Sequence, residues 1–235
     1  MQTFAQNSEA AVQAQLNSIF SNIDKSQIPS GYLSEYGGDF VEKRLYNGVL
    51  SDSNFITNKT GFNFLYNDIA TSRIYTNALT MINIDSVDAL IDAAPVSTST
   101  PLIFLTAQYS TLNENAVNNG YFTIQNNQLF DANPSPNARV NFKYIFNQAF
   151  AAVPTETVSK IKGAISLTFN PTLLFTNSNQ NITQVWIDFL DGQGFNEVIT
   201  NGTITKYYTD SSGDKKFNIK VQCSNGNIFY TTSQQ

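Results

Sequence analysis

The clearest hydrophobic pattern in the chain lies near its end, where Phe217, Ile219, Val221 and Cys223 alternate with Asn218, Lys220, Gln222 and Ser224. Successive side chains of a strand point to opposite faces. The alternation therefore predicts an antiparallel strand with one face on a core and the other toward water. The same period of two recurs upstream. "AISLTF" sets Ile165, Leu167 and Phe169 on one face, and "TQVWIDFLDG" does the same with Val185, Ile187 and Phe189. "LLFTN" follows the break at Pro171, and "GTITKYYTD" supplies another short strand. Further back, "PLIFLTAQYS" is an apolar run of strand character. "NNGYFTIQNNQLFDA" carries Asn-Gly turn chemistry at Asn119-Gly120. In "ARVNFKYIFNQAF", Val140, Phe142 and Tyr144 alternate with Asn141, Lys143 and Ile145, which predicts one more strand.

The first hundred residues follow a helical period. Asn7 or Ser8 can cap a helix with Glu9 in its first turn, and Val12, Leu16, Ile19 and Phe20 recur as one apolar stripe. Pro29 and Gly31 in "IPSGY" stop it. In "GFNFLYNDIATSRIYTNAL", Phe64, Leu65, Ile69 and Ile74 can share a helix face. A third helix runs from an Asp85 or Ser86 cap through Val87, Leu90 and Ile91 and stops before Pro95. "STSTP" (Ser97 to Pro101) then reads as a loop at which the period changes.

These patterns predict an α+β chain in three segments. Residues 1–95 form a helical and mixed region, 96–160 a β-rich connecting region, and 161–235 an antiparallel β-sandwich.

Composition narrows the chemistry. Charged residues make up 13% of the 235, about half the usual share, with 18 Phe and 11 Tyr among abundant Asn, Thr, Ser and Gln. The net charge is −5 and the 13 Lys and Arg are scattered, so a basic nucleic-acid footprint is absent. There is no His, which removes the commonest general base, the commonest zinc ligand and every Ser-His or Cys-His nucleophile pair. The single cysteine, Cys223, cannot form an internal disulfide and sits in the strand pattern as a small apolar residue. No apolar run reaches the length of a membrane span, and "MQTFAQNSEA" has neither the basic nor the apolar region of a signal peptide. Sequons at Asn58, Asn181 and Asn201 carry meaning only for a eukaryotic secreted protein.

The stretch "VWIDFLDGQGFNEV" holds the candidate chemistry: Asp188 and Asp191 three residues apart, beside Trp186, the one Trp of the chain. Paired carboxylates can serve glycoside hydrolysis, but an Asp beside Gly also accepts backbone N–H groups and permits a tight turn. The turn is the expectation here, with catalysis set aside. Calcium on Asp188 and Asp191, with Asp210 or Asp214 added, is a second use, since these are hard oxygen ligands. Trp186, Tyr207 and Tyr208 are candidate ligand-binding aromatics, and Trp186 faces away from Val185, Ile187 and Phe189.

These residues resemble the PKD domain, an immunoglobulin-like sandwich of extracellular proteins. Its W-D-F-G-D-G strand-turn motif is matched by Ile187-Asp188-Phe189-Leu190-Asp191-Gly192. Tyr207 and Tyr208 precede Gly213, and Phe217, Ile219, Val221, Cys223 and Asn225-Gly226 match its closing strand. The resemblance covers roughly residues 160 to 235. It departs where Trp186 comes one residue early, where Leu190 replaces the motif glycine, and where "GDKKF" lengthens the last turn. The whole chain, including "IPSGYLSEYG" and "NNQLFDA", also resembles the N-terminal part of long multidomain secreted proteins of Bacteroidetes-type bacteria. The resemblance implies a non-catalytic extracellular or cell-surface module that spaces, docks or adheres within a longer polypeptide. Its partners would be neighbouring domains or a surface polysaccharide or protein. A carbohydrate-binding module and an accessory region of a secreted hydrolase are the alternatives.

Overall fold

The computed structural model describes residues 9–51, 54, 56–94, 99–132, 140–155, 164–198, 202–207 and 215–234. Helix α1 spans Glu9–Ile19. A 3₁₀ turn at Ser34–Tyr36 and another at Lys43–Tyr46 lead to a two-residue strand, β1 (Ile56–Thr57). Helix α2 (Lys59–Thr71) starts at Asn58, whose side chain accepts the Gly61 N–H, and α3 (Ile84–Asp92) starts at Asn83, which accepts the Asp85 N–H. Each short polar side chain satisfies one of the donors that a helix start leaves unpaired.

The strands follow. They are β2 (Thr100–Leu112), β3 (Phe122–Gln125) and β4 (Gln128–Asp131), then one helical turn, α4 (Val140–Lys143), and β5 (Tyr144–Pro154). After them come β6 (Ala164–Thr176), β7 (Ile182–Asp188), β8 (Asn196–Val198), β9 (Thr203–Tyr207), β10 (Lys216–Cys223) and β11 (Ile228–Gln234). They make a five-stranded sheet in the order β1-β11-β10-β7-β8, a four-stranded sheet in the order β5-β2-β6-β9, and the β3-β4 hairpin. Most pairings are antiparallel; β2 with β6 and β1 with β11 are parallel. The fold is α+β.

The four-stranded sheet is the middle layer. One of its faces meets the five-stranded sheet across a core that includes Phe104, Phe150, Phe169, Val185, Ile187, Phe217 and Val221. Cys223 lies in the same core as a free, buried thiol, and its burial raises the thiol pKa. The other face meets α2 and α3 through Ile103, Leu105, Tyr109, Ala151 and Val153, packed on Phe62, Leu65, Tyr66, Val87 and Ile91. A third cluster, with Phe20, Ile23, Phe122, Leu129 and Tyr144, joins α1 to the hairpin.

Several expectations change here. The segments 96–160 and 161–235 are not separate units, because β2 and β5 from the first share one sheet with β6 and β9 from the second. The alternation expected through Val140, Phe142 and Tyr144 gives way to the turn α4, and the strand begins at Tyr144. Phe142 is exposed there and Lys143 is buried. Lys143 pairs with Asp131, donates to Gln27 Oε1 (3.2 Å) and lies over the Phe122 ring. In α2 the buried face is Phe62, Leu65, Tyr66, Asp68 and Ile69, while Phe64 is exposed; in α3, Leu90 is exposed. The turn expected at Asn119-Gly120 is present, with Gly120 at φ +70° and its N–H donating to the Val117 carbonyl, while the β3-β4 hairpin turns at Asn126-Asn127, both with positive φ. Two consecutive left-handed residues match the twist of a two-residue hairpin.

Candidate functional site

Along β7 the side chains alternate, so Val185 and Ile187 enter the core while Trp186 points to the outer face of the five-stranded sheet. Register places Trp186 opposite Lys220, and Lys220 opposite Tyr230. The three form a row across β7, β10 and β11. The Lys220 ammonium lies 4.4 Å from the centre of the Trp186 ring, a contact in which the cation meets the negative face of the indole. Phe195, from the connection into β8, stands edge-on to Tyr230 with 6.0 Å between ring centres. The neighbouring rows are Gln184, Gln222 and the exposed Ile228 on one side, and Asp188, Asn218 and Thr232 on the other. None of these outward residues is buried.

The structure does not bring the expected aromatics together. Tyr207 lies on β9, at the edge of the other sheet, opposite Ala164 and 76% exposed. Tyr208, Asp210 and Asp214 lie outside the described residues.

Asp188 and Asp191 shape the chain. Asp188 Oδ1 accepts the Leu190 N–H (2.8 Å) and Asp191 Oδ1 accepts the Gln193 N–H (3.0 Å). Asp191 also pairs with Lys206 of β9, whose hydrogen bond holds its carboxyl below the ordinary value. That pair ties the β7–β8 connection to the edge of the facing sheet. Leu190 stands where the PKD motif has glycine, and its φ is +57°, the left-handed region that glycine enters at little cost. Among the described residues no group of three His, Cys, Asp or Glu side chains gathers as a metal site. The pair therefore finds no third ligand there, and the calcium expectation gains no support.

A second concave feature arises from residues that sequence patterns do not flag. On the helix side of the middle sheet, beyond the end of α2, the two 3₁₀ turns and their connection border an open cleft of about 500 Å³. Tyr109, Asn147 and Ile145 line it from β2 and β5; Asp39, Glu42, Lys43, Arg44 and Glu114 line it from the connecting segments.

Its wall is fixed by Asp68, which is fully buried on the inner face of α2. One carboxylate oxygen accepts the N–H groups of Phe40 (2.8 Å) and Val41 (3.0 Å) and lies 3.8 Å from Lys43 Nζ. Desolvation pushes the Asp68 carboxyl up, and those N–H groups and Lys43 pull it back. Gly37 and Gly38 let the wall approach α2 this closely. A Cβ on Gly37 would fall 2.7 Å from the Asp68 carbonyl, and one on Gly38 2.5 Å from its carboxylate. Lys43, 4% exposed, donates to the Gly38 carbonyl (2.9 Å). Arg44 grips Glu42 through two hydrogen bonds.

Tyr109 closes the floor. The residue is 1% exposed, and among the described residues its hydroxyl makes no hydrogen bond although it borders the cleft. Burial, with the Glu42 charge adding to it, pushes its phenol up to about 12. It therefore keeps its proton at neutral pH. The one sequence signal for this region was an aspartate, Asp68, on the apolar face of a helix.

No family model, curated protein or solved structure matches this chain. The PKD resemblance therefore rests on the residues that carry it.

Proposed function

We propose that this chain is a non-catalytic docking module of a secreted or cell-surface protein, part of a longer polypeptide, and that the outer face of its five-stranded sheet docks a polysaccharide. The observation that carries this reading is the half-exposed row of Trp186, Lys220 and Tyr230, flanked by Gln184, Gln222 and Asn218. Ring faces pack on the C–H faces of sugar rings. Amides on a rigid sheet donate to and accept from hydroxyls without the penalty of burying a charge. The finer assignment of the C-terminal segment to an immunoglobulin or PKD-type sandwich belongs to this proposal. It is supported by the left-handed Leu190 at the motif's glycine position and by the alternation of β10.

Retention on a panel of insoluble polysaccharides and bacterial cell envelopes tests the reading. Saturable retention is expected for the natural chain and for Tyr207→Ala, and loss of retention for Trp186→Ala. Retention that survives Trp186→Ala, or no retention on any matrix, would sink it. Helices offer no route into a bilayer, since none among the described residues is long and apolar enough to cross one.

A further inference from the structure

Among the described residues β5 is an edge strand of the middle sheet, and half of that edge is unpaired. The ladder shows which backbone groups face outward. Asn113 N–H donates to the Lys143 carbonyl at one end, and Thr155 N–H donates to the Pro101 carbonyl at the other. In the antiparallel register of β2 and β5 this makes the odd-numbered residues of β5 the ones bonded to β2. The N–H and C=O of Phe146, Gln148, Phe150 and Ala152 therefore point away from the sheet. Phe150 and Ala152 are buried, so neighbouring chain covers the edge there. Phe146 is 48% exposed and Gln148 is half-buried, and among the described residues nothing pairs with their outward backbone groups.

The open half of the edge borders the cleft. Ile145 and Asn147, whose side chains lie on the helix-side face on either side of Phe146, line the cleft together with Tyr109. The charge there is one-sided. Arg44 is engaged by Glu42, and Lys43 by Gly38, Asp39 and Asp68. Among the described residues Glu114 has no such partner, and Asp39 is 93% exposed with a 3.5 Å contact to Lys43. The Tyr109 hydroxyl, which borders the cleft, makes no hydrogen bond among the described residues.

We propose that β5 accepts an extended peptide segment as an added strand at Phe146–Gln148, and that the segment places an arginine or lysine side chain in the cleft. A strand laid on this edge takes its main-chain hydrogen bonds from the outward groups of Phe146 and Gln148. Residues directly opposite in a ladder share a face. The peptide residue opposite Asn147 therefore points into the cleft, and its two neighbours point to the face where Phe146 is exposed. The fitting sequence is a basic residue between two apolar ones. Its alkyl stem lies along Ile145, and its head meets Glu114, Asp39 and the Tyr109 hydroxyl, a charge-assisted arrangement.

The test uses the full chain, labelled with ¹⁵N and titrated with the capped peptide Thr-Ile-Arg-Ile-Thr and with its counterpart carrying norleucine in place of arginine. The arginine peptide is expected to shift the amides of Phe146, Asn147 and Gln148 and to slow hydrogen exchange at Phe146 and Gln148. Its affinity should fall about tenfold with Glu114→Gln or with Tyr109→Phe, each of which removes one charge-assisted contact, and by more than about tenfold with norleucine, which removes them all. The spectra themselves report whether the variants fold. Equal binding of the norleucine peptide would overturn the proposal. So would shifts confined to the Trp186 face, or concentration-dependent broadening at Phe146 and Gln148 without peptide, which marks a second copy on the same edge.

Discussion

In β10, Phe217, Ile219, Val221 and Cys223 are buried, while Asn218, Lys220 and Gln222 are half-exposed; in β2, every residue from Thr100 to Ala107 is buried. The two strands belong to adjacent layers. β10 has the core on one side and water on the other, so a period of two is written into its residues. β2 has the facing sheet on one side and α2 and α3 on the other, so its residues read as a continuous apolar run. The outer strand tells where its faces point. The middle strand tells only that both faces are covered, and leaves open by what.

The contrast in burial implies a contrast in stability. Phe104 is fully buried in the core between the sheets and stands edge-on to Phe169. Phe104→Ala should destabilise the chain by about 4 kcal/mol through lost contacts and the cavity left behind. Trp186→Ala, on the open face of the outer sheet, should lose less than about 1 kcal/mol. Urea unfolding midpoints with an unchanged slope would measure both. Equal losses would break the distinction between a sealed middle layer and an open outer one.

A smaller effect follows at the end of β5. Lys143 is 2% exposed and pairs with Asp131 beside the hairpin. Asp131→Ala leaves a buried cation without its counter-charge, a change expected to destabilise by about 3 kcal/mol. A loss below about 1 kcal/mol in the same unfolding experiment would mean that Lys143 reaches water once its partner is gone. The middle layer would then be less closed at this corner than its burial indicates.

How far the sequence could be read follows the same division. The strands β7 and β10 were legible because one face of each meets the core and the other water, and hydrophobicity records that difference directly. The Asp188 and Asp191 turns were legible because short carboxylates beside Gly and Leu190 bond the backbone nearby. What escaped depends on pairings across long separations. The parallel pairing of β2 with β6 merges two segments that looked distinct. Lys143 reads as a polar, outward residue until Asp131 is placed beside it. The cleft draws on residues from Ser34 to Asn147, and no local pattern announces that they converge. Trp186 was placed on the correct face by alternation, but alternation could not show that Tyr207 belongs to the other sheet.

Two carboxyls, Glu35, exposed on its 3₁₀ turn, and Asp191 in the β7–β8 connection, differ in the sign of their pH dependence. Glu35 bonds the N–H of Leu112 at the end of β2 (2.9 Å), and desolvation raises its carboxyl above the ordinary 4.5, with that N–H bond opposing. A folded pKa above the unfolded one means that the folded state holds the proton more tightly. The associated stability is full below about the ordinary glutamate value and is lost as pH rises through the raised value. Asp191 is the reverse. Lys206 lowers its carboxyl below the ordinary 3.8, so its contribution is full above that value and is lost as pH falls through the lowered one. Glu35→Gln, whose amide oxygen can still accept the Leu112 N–H, should flatten the decline on the alkaline side of 4.5. Asp191→Asn should flatten only the acid side. Unfolding midpoints measured across the acid range for both variants would decide this, and slopes that change in the same direction would show that the two carboxyls are not opposed.

The smallest expected effect is a gain, and it sharpens the reading of the outer sheet. Leu190 holds φ at +57° in the turn after β7 and is 53% exposed. A side chain in the left-handed region carries roughly 1–2 kcal/mol of steric strain. Leu190→Gly removes that strain and little packing, while the freer unfolded chain of glycine offsets roughly 0.5–1 kcal/mol of the relief. The net expectation is a stabilisation of about 0.5 kcal/mol, read as a small upward shift in urea midpoint with no change in slope. A loss instead would show that the Leu190 side chain makes a contact outweighing its backbone strain. The departure from glycine would then be a packing feature of this module, and the match to the PKD strand-turn motif would lose its physical basis at that position.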